Sequence, residues 1–455
     1  MKTNLLQPSK RFKIDYIHLI ILGYIAIILV GAILLSLPVS TRSGEFGNFG
    51  DSLFSACSAV FITGLSVVDV AVHFSGFGQV LILLMIQIGG IGFMTFVAVF
   101  LLLLKRKIDF GKRQLLIESM GLLKLSGITR LVKRIIVVTL ICELSGTILL
   151  SFSFIPQFGF GQGLYYSLFH SVSAFCNAGI DLFYGNRFGS NNSLEIFSHQ
   201  PYVLMVFAAL IFVGGIGFLV WDDVITNGLH FKKYRLHSKL VLTTTAILIL
   251  GGWILFFAFE YNQSLREFDL VDKIFISLFH SISPRTAGFG VVRLSHMSSG
   301  GQFLTMVLEF IGGSSGSTAG GIKTTTLAVL FLNFLRTPRA TKGIYVFNKK
   351  IDDNTIKQAS ALVAVYFILI VGGILSIAMV EDLPLINIVF EVVSSISTTG
   401  MSFDGTTLLL SGFSRAIIIL LMFVGRIGCI AFIFGMIGKK INPKIDRMPE
   451  KIQIG

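Results

Sequence analysis

Four short stretches of this 455-residue chain end in a small or hydroxyl residue followed by glycine. Two are nearly identical, LFHSVSAFCNAG at 168–179 and LFHSISPRTAG at 278–288, and looser copies lie at 53–64 and 389–400. Glycine permits backbone angles that other residues resist, so an extended segment at this pair can turn its carbonyl oxygens inward. A ring of carbonyl oxygens can replace the hydration shell of a dehydrated cation. The four stretches therefore favour cation binding by the backbone.

The predicted binding segments, called here the four glycine segments, contain four residues each. They are Ile62, Thr63, Gly64 and Leu65; Asn177, Ala178, Gly179 and Ile180; Thr286, Ala287, Gly288 and Phe289; and Thr398, Thr399, Gly400 and Met401. The third stretch is one residue shorter than the others, which leaves the register of its carbonyl groups open.

The elements that would position these segments alternate in length. The residues before each glycine predict a short apolar helix of about ten residues, too short to cross a bilayer. Apolar stretches of roughly 20 residues or more, long enough to cross, lie at 16–37, 77–104, 131–155, 202–221, 239–259, 303–335, 358–380 and 412–437. The pattern predicts an all-α membrane protein of four repeated span–re-entrant pore loop–span units around one pseudo-fourfold ion pore. We place the units at 1–105, 106–222, 223–340 and 341–455, the last with a cytoplasmic tail.

Composition agrees with a membrane protein. The chain is 53% hydrophobic and only 13% charged, which a soluble fold of this length cannot accommodate. Lys and Arg cluster at the N-terminus, in 105–134, 232–239 and 336–357, and after residue 439, while the intervening loops carry acidic residues. This alternation predicts that both termini are cytoplasmic, and it argues against nucleic-acid binding despite a net charge of +13.

Enzymatic motifs are missing from the sequence. The segment GSTAGGIKT at 316–324 approaches a phosphate-binding loop, but Ile322 separates the second glycine from the lysine, and the segment lies inside an apolar span. The four cysteines have no metal-ligand spacing. We therefore expect neither catalysis nor a cofactor in this chain.

A glycine cluster recurs in the second span of each unit, as IGGIGF at 88–93, VGGIGF at 213–218, IGGSSG at 311–316 and VGRIGC at 424–429. In the first two we expect the small residues to allow close helix packing. Glycine costs about 1 kcal/mol relative to alanine in a helix interior, so the long run in the third unit predicts an unwound stretch that can obstruct the pore. The predicted gate comprises Gly312, Gly313, Ser314, Ser315, Gly316, Ser317, Thr318, Ala319, Gly320 and Gly321, together with Lys323 and Arg426.

Arg426 occupies the position of Gly90, Gly215 and Gly313 in the other clusters. Because an arginine at mid-membrane is costly unless it has partners, we expect it to donate to carbonyls and hydroxyls of 312–321 and hold the loop closed. A purely structural tie between helices is the alternative. Lys323 either adds to the positive barrier or snorkels.

Other polar residues inside apolar segments also have two interpretations. Glu143 is either a distant partner of Lys323 or an interface residue. His170 and His280 occupy matching places in two short helices, where a packing role is favoured over a proton relay. Glu391 either tunes the outer potential or faces solvent.

From about Tyr16 to Ile437 the chain resembles the Trk, Ktr and HKT superfamily of cation transporters, and most of all the membrane subunit of bacterial Ktr potassium-uptake systems. The resemblance rests on TGLS at 63–66, NAGID at 177–181, RTAGFG at 285–290, STTGMS at 397–402 and GGSSGSTAGGIKT at 312–324. In this family, glycine at the filter position of all four loops goes with potassium selectivity, and the broken span is the gating loop.

The resemblance implies K+ uptake across a bacterial plasma membrane, with K+ bound at the carbonyl groups of the four glycine segments and Na+ left open as a coupling ion. It also implies a homodimer on a cytosolic ring of nucleotide-binding RCK/KTN-type subunits, which would contact basic segments such as 105–134, 222–239 and 336–357. Those segments can equally anchor the protein to membrane lipids. The alternative function is an alternating-access secondary transporter, for which a broken span is also suitable.

Overall fold

A computed structural model describes residues 16–92, 128–183, 193–337 and 343–427, and nearly all of its regular structure is helical. The helices are α1 Tyr16–Ser36, α2 Phe49–Phe61, α3 Val70–His73, α4 Gly76–Ile91, α5 Ile128–Phe158, α6 Phe160–Phe175, α7 Pro201–Gly215, α8 Phe218–Asn227, α9 Leu236–Glu260, α10 Leu270–Ile282, α11 Ser299–Phe310, α12 Thr324–Arg336, α13 Asp353–Ala378, α14 Leu385–Ser397, α15 Thr406–Leu409 and α16 Gly412–Ile427. Two short strands, β1 Tyr345–Val346 and β2 Lys349–Lys350, form an antiparallel hairpin.

Three helices in the described ranges, α5, α9 and α13, are long and apolar enough to cross a membrane. They correspond to the predicted spans 131–155, 239–259 and 358–380. The predicted span 202–221 is bent: it divides into α7 and α8, which together are long and apolar enough to cross and lie at 94° to each other. The bend occurs where Gly217 adopts a φ of 102°, a value that ends an α-helix.

Span 303–335 is interrupted as predicted, because α11 ends at Phe310 and α12 begins at Thr324. The intervening residues 311–323 are called the broken-span loop. Helix α1 corresponds to span 16–37, and α4 and α16 correspond to the first parts of spans 77–104 and 412–437. The remainders of those two spans, both chain termini and the unit boundaries at 105 and 340 lie outside the described residues. The division into units stays a prediction.

The four glycine segments follow α2, α6, α10 and α14, which have 13, 16, 13 and 13 residues. These helices are longer than the ten residues predicted, but still too short to span a bilayer. Each packs beside a longer helix, in the pairs α1–α2, α5–α6, α9–α10 and α13–α14. Their buried residues form the centre of the core, with Phe54, Phe169, Phe279 and Phe390 all at most 1% exposed.

In chain order the helices form four groups, α1–α4, α5–α8, α9–α12 and α13–α16. In each group, the next helix of ten or more residues after the short helix contacts the short helix of the following group. These contacts are α4–α6, α7–α10, α11–α14 and α16–α2, so the fourth group returns to the first. The long helices present apolar side chains on the outside, such as Phe152, Ile254 and Phe367, each more than 60% exposed. An apolar exterior around a polar backbone centre suits a lipid environment.

Candidate functional site

The backbone of the four glycine segments repeats one unusual conformation. Gly64, Gly179, Gly288 and Gly400 all have positive φ angles, between 66° and 90°. Two positions earlier, Ile62, Asn177, Thr286 and Thr398 also have positive φ, between 51° and 81°. Such angles are uncommon for residues other than glycine. Their recurrence at the same spacing gives the four segments a common shape.

Each of these glycines lies against the backbone of the next segment. A β-carbon added to Gly64 would lie 2.5 Å from the carbonyl oxygen of Ala178, and one added to Gly179 would lie 2.5 Å from that of Ala287. In the same way, Gly288 lies against the carbonyl of Thr399, and Gly400 against that of Thr63. The four contacts close a ring, here called the glycine ring, in which no position has room for a side chain.

The side chains of the glycine segments are enclosed by the protein. Every non-glycine residue among the sixteen is buried, with at most 6% of its surface exposed. Serines of the short helices hold two segments from behind: Ser173 donates to the carbonyl of Ile180 at 2.6 Å, and Ser283 donates to that of Phe289 at 2.6 Å. The backbone is thus what the segments present to a ligand.

The shorter third stretch keeps the same register as the others. In the other three loops, the amide before the glycine donates to a carbonyl five residues back, as from Thr63 to Ser58 at 2.8 Å. In the third loop, Ala287 donates to Ser283, only four residues back, at 2.9 Å. The third loop is therefore one residue shorter between Ser283 and Ala287. The two positive φ angles still occur at the matching positions, Thr286 and Gly288.

A cavity of about 160 Å³ lies against the glycine ring, and all four glycines line it. Three carboxylates from different loops also line it: Asp69, Asp181 and Asp404. Asp69 caps α3 by accepting from the amide of Ala71 at 2.8 Å, and burial raises its pKa above the ordinary value. We call this space the acidic cavity. The sequence reasoning missed this convergence, although each aspartate follows a ring glycine by two to five positions.

The broken-span loop docks onto the bend between α7 and α8. The amide of Ser314 donates to the carbonyl of Gly215 at 3.0 Å, and the amide of Phe218 donates to that of Gly316 at 2.6 Å. These bonds satisfy backbone groups that the break and the bend leave without helical partners. Non-helical backbone at membrane depth requires such protein partners.

The same loop also contacts the residues that lead into two glycine segments. The Thr318 hydroxyl donates to the carbonyl of Phe175 at 3.3 Å, two residues before Asn177. Gly320 is packed so closely against Thr398 that an added β-carbon would overlap the threonine hydroxyl. The loop thus lies next to the glycine segments, on the side where the short helices end.

Arg426 joins the broken-span loop to two other groups of helices. Its Nη1 donates to the carbonyl of Thr318, and its Nη2 donates to the carbonyl of Gly89. The bond to a carbonyl of 312–321 matches the sequence expectation, whereas no described hydroxyl of the loop accepts from Arg426. The bond to Gly89, in the first glycine cluster, was not predicted.

Lys323 does not snorkel. Its ammonium donates to the carbonyls of Ala319 at 2.6 Å and Gly320 at 3.1 Å, within its own loop. Glu143 does not pair with it in the described part of the chain; instead, its carboxylate accepts from the Cys176 thiol at 3.9 Å, an interface contact between α5 and α6. The ammonium therefore lies beside the backbone turn that faces Thr398.

Packing roles fit the two histidines. Nδ1 of His170 bonds to the carbonyl of Tyr166, and its Nε2 accepts from the amide of Leu182. Nε2 of His280 bonds to the Thr305 hydroxyl at 2.8 Å. The suggestion that Glu391 faces solvent is wrong, since it is 1% exposed.

Close packing at the first two glycine clusters is confirmed, and the fourth cluster packs in the same way. Gly89, Gly214 and Gly425 lie so near the carbonyls of Val60, Phe175 and Ile396 that a β-carbon would overlap the oxygen. Each of these carbonyls belongs to the end of a short helix. The first two clusters do more than pack, because Gly92 and Gly217 both have positive φ at a helix end.

Comparison with known proteins gives one consistent result. A family model described as "TrkH: Cation transport protein" matches residues 25–440. The chain is 38% identical over 440 residues to the potassium/sodium uptake protein NtpJ of Enterococcus hirae, covering 96% of both chains. It is 38% identical over 415 residues to Ktr system potassium uptake protein B of Bacillus subtilis, covering 91% of both. The crystal structure of the potassium transporter TrkH from Vibrio parahaemolyticus superposes with a TM-score of 0.69 at 16% identity, covering 94% of this chain and 86% of that one.

Proposed function

Because this chain belongs to the TrkH family of cation transport proteins and is a multi-pass membrane protein, we propose that it is the K+-translocating subunit of a bacterial potassium-uptake system. K+ passes through the glycine ring in a channel-like manner, and the broken-span loop is the gate. The four groups of helices act as four pore units around one pseudo-fourfold axis.

The glycine ring is the observation that carries this proposal. Four backbone segments of equal shape meet with their glycines against one another's carbonyl groups, while their side chains are buried elsewhere. Carbonyl oxygens so arranged can take the place of water around a dehydrated cation. In this function the ion-binding residues are those of the four glycine segments.

Electrostatics also favour a cation. The carboxylates of the acidic cavity attract cations to one mouth of the ring, and carboxylate clusters raise the local concentration of the permeant ion. The short helices direct their C-terminal ends toward the side occupied by the broken-span loop, where the helix dipole favours a positive charge by a few tenths of a kcal/mol each. The membrane potential drives entry at about 2.3 kcal/mol per charge per 100 mV.

The gate consists of residues 312–321 with Lys323 and Arg426. Its position next to the ends of two glycine segments supports an obstructing role, and two basic side chains donate to its carbonyls. Movement of the loop requires release of the bonds from Arg426 and those to the bend at Gly215–Phe218. Its glycines supply the backbone freedom for such a movement.

The protein works as a homodimer with a cytosolic ring of nucleotide-binding subunits, with both termini cytoplasmic. Support for a partner subunit comes from the name of the Bacillus relative, which assigns that protein to a Ktr system. The described parts of the basic segments include the start of α5, with Arg130, Lys133 and Arg134, the α8–α9 connection, with Lys232, Lys233 and Arg235, and the β-hairpin, with Lys349 and Lys350. These surfaces are the expected contacts for the ring or for anionic lipids.

Flux measurement on purified protein in liposomes tests the proposal. A membrane potential that is negative inside the liposomes should drive K+ uptake that does not depend on a second ion. The uptake should fall when Gly64 or Gly288 is changed to serine. The name of the Enterococcus relative includes sodium, so the assay uses both ions. Fixed stoichiometric coupling of K+ to Na+ would instead favour the alternating-access transporter.

A further inference from the structure

Two carboxylates lie inside the protein at the contact between α11 and α14. Glu309 is 0% exposed and belongs to the last turn of α11, while Glu391 is 1% exposed and lies in the middle of α14. The two helices pack against each other, and two negative charges buried at one helix contact would repel each other. Neither group forms an ion pair within the described residues.

Glu391 is well supplied with hydrogen-bond donors. One carboxylate oxygen accepts from the Ser402 hydroxyl, and the other accepts from the Thr407 hydroxyl at 2.8 Å. Ser402 follows the ring glycine Gly400 by two residues, so Glu391 supports the fourth glycine segment from behind. Hydroxyl groups that donate to both oxygens favour the ionised carboxylate.

Glu309 is the opposite case. Both of its carboxylate oxygens are buried and have no hydrogen-bond partner among the residues that the structure describes. A buried carboxylate with neither a donor nor a cation is strongly unfavourable in its charged form, and a neighbouring negative charge makes it more so. Such a group keeps its proton.

The charged and titratable side chains on the neighbouring helices are engaged elsewhere. Each contacts a different partner: Glu260 of α9 accepts from Ser298, His280 of α10 bonds to Thr305, Tyr366 of α13 packs against Phe310, Arg415 of α16 donates to Asp51, and Arg426 of α16 donates to Thr318 and Gly89. The pair therefore has no basic partner within the described ranges to neutralise it.

We propose that Glu309 and Glu391 form a proton-binding site in which Glu309 holds a proton at neutral pH. Neither Glu309 nor Glu391 lines the acidic cavity, and a bound proton requires no cavity. Glu309 lies two residues before the broken-span loop, and Glu391 supports the fourth glycine segment. The proton-binding site thus lies between the start of the proposed gate and the proposed filter.

On the basis of the proposed function, loss of this proton has a definite effect. Two adjacent negative charges would push α11 away from α14 and shift the start of the broken-span loop. K+ flux should therefore rise as the pH increases through the titration of the pair. The E309Q variant keeps a neutral side chain of the same shape and should abolish this rise.

Infrared difference spectroscopy on the full chain in lipid tests the site without relying on transport. The wild-type protein should show the carbonyl band of a protonated carboxylic acid at neutral pH, and this band should disappear on alkaline titration. E309Q should lack the band. E381Q, which removes a carboxylate that accepts from Ser411 and Ser414 in a loop outside this pair, should retain it.

Two results would overturn the proposal. The first is that neither E309Q nor E391Q removes a carboxylic acid band that the wild-type spectrum shows, because both groups would then be ionised in the wild type. The second is a band that appears only when Na+ is withdrawn, because the pair would then be a sodium site. If K+ flux is absent but the band behaves as expected, the proton site stands and the proposed function fails.

Discussion

The guanidinium of Arg426 in α16 donates to the carbonyl oxygen of Thr318, a residue 108 positions away in the broken-span loop. The second nitrogen of the same guanidinium donates to Gly89 at the end of α4. One side chain therefore ties three of the four groups of helices together around the loop. The movement of the loop proposed above would break the bond to Thr318.

Replacement of Arg426 by alanine should increase K+ flux. Hydrogen bonds to a charged group contribute about 2 kcal/mol, and 1.4 kcal/mol corresponds to roughly a tenfold change in an equilibrium. A loss of about 2 kcal/mol should therefore raise the open fraction roughly 25-fold while the closed position predominates, measured as tracer uptake into liposomes. Arg415→Ala is the matched control, since Arg415 lies on the same helix but pairs with Asp51. Equal flux in R426A and the wild type would mean that Arg426 only holds the helices together and does not control the gate.

Replacement of Gly288 by serine should abolish selective K+ uptake. Gly288 has a φ of 77°, and a β-carbon there would overlap the carbonyl of Thr399. A non-glycine residue at such an angle costs about 1–3 kcal/mol, and the overlap displaces the neighbouring segment as well. Growth of a potassium-uptake-deficient bacterium at limiting K+ measures the effect. Gly251→Ser, at a helical glycine with no atom near the added carbon, should support growth; if G288S grows as well, the glycine ring is not the filter.

Replacement of Gly320 by alanine should weaken the closed position of the gate. The added methyl group would overlap the Thr398 hydroxyl and approach the carbonyl of Ser397 at 2.8 Å. The loop must move away from the fourth glycine segment, so basal K+ flux should rise severalfold. Gly372→Ala, at a glycine of α13 with nothing nearby, should behave as wild type. Reduced flux in G320A with normal expression would mean that the displaced loop obstructs the pore further.

External acidification should lower K+ uptake at subsaturating K+. Burial raises the pKa of Asp69, so this carboxylate gains a proton at a higher pH than an ordinary aspartate. Protonation removes negative charge from the acidic cavity and lowers the local concentration of K+. D69N should have reduced uptake at neutral pH and a weaker dependence on external pH. Asp382→Asn, an exposed residue outside the cavity, should retain the wild-type dependence.

Much of this arrangement is readable from the sequence because it repeats. The pair of a small or hydroxyl residue with glycine located all four segments, and the glycine run located the break at 311–323. Spacing also placed Arg426 correctly opposite the loop, since it stands where the other clusters have glycine. Repeats constrain a prediction more strongly than local propensity does.

Other features depend on contacts between residues far apart in sequence. The bend at Gly217 was missed because IGGIGF and VGGIGF are also typical of close helix packing, which these glycines perform as well. Glu391 and Glu309 are 82 positions apart by their numbers, and no periodicity links them. The acidic cavity could not be predicted from a repeat either, because its aspartates follow their glycines at different distances in the sequence.

The contact of Gly400 with Thr63 has a consequence for how the protein is made. The first glycine segment leaves the ribosome early, but its neighbour on one side belongs to the last quarter of the chain. Until that quarter has been inserted, the glycine ring lacks its fourth segment. The carbonyl group of Thr63 then has no glycine backbone packed against it. The glycine ring therefore closes only at the end of synthesis, and a truncated nascent chain should be unable to conduct ions.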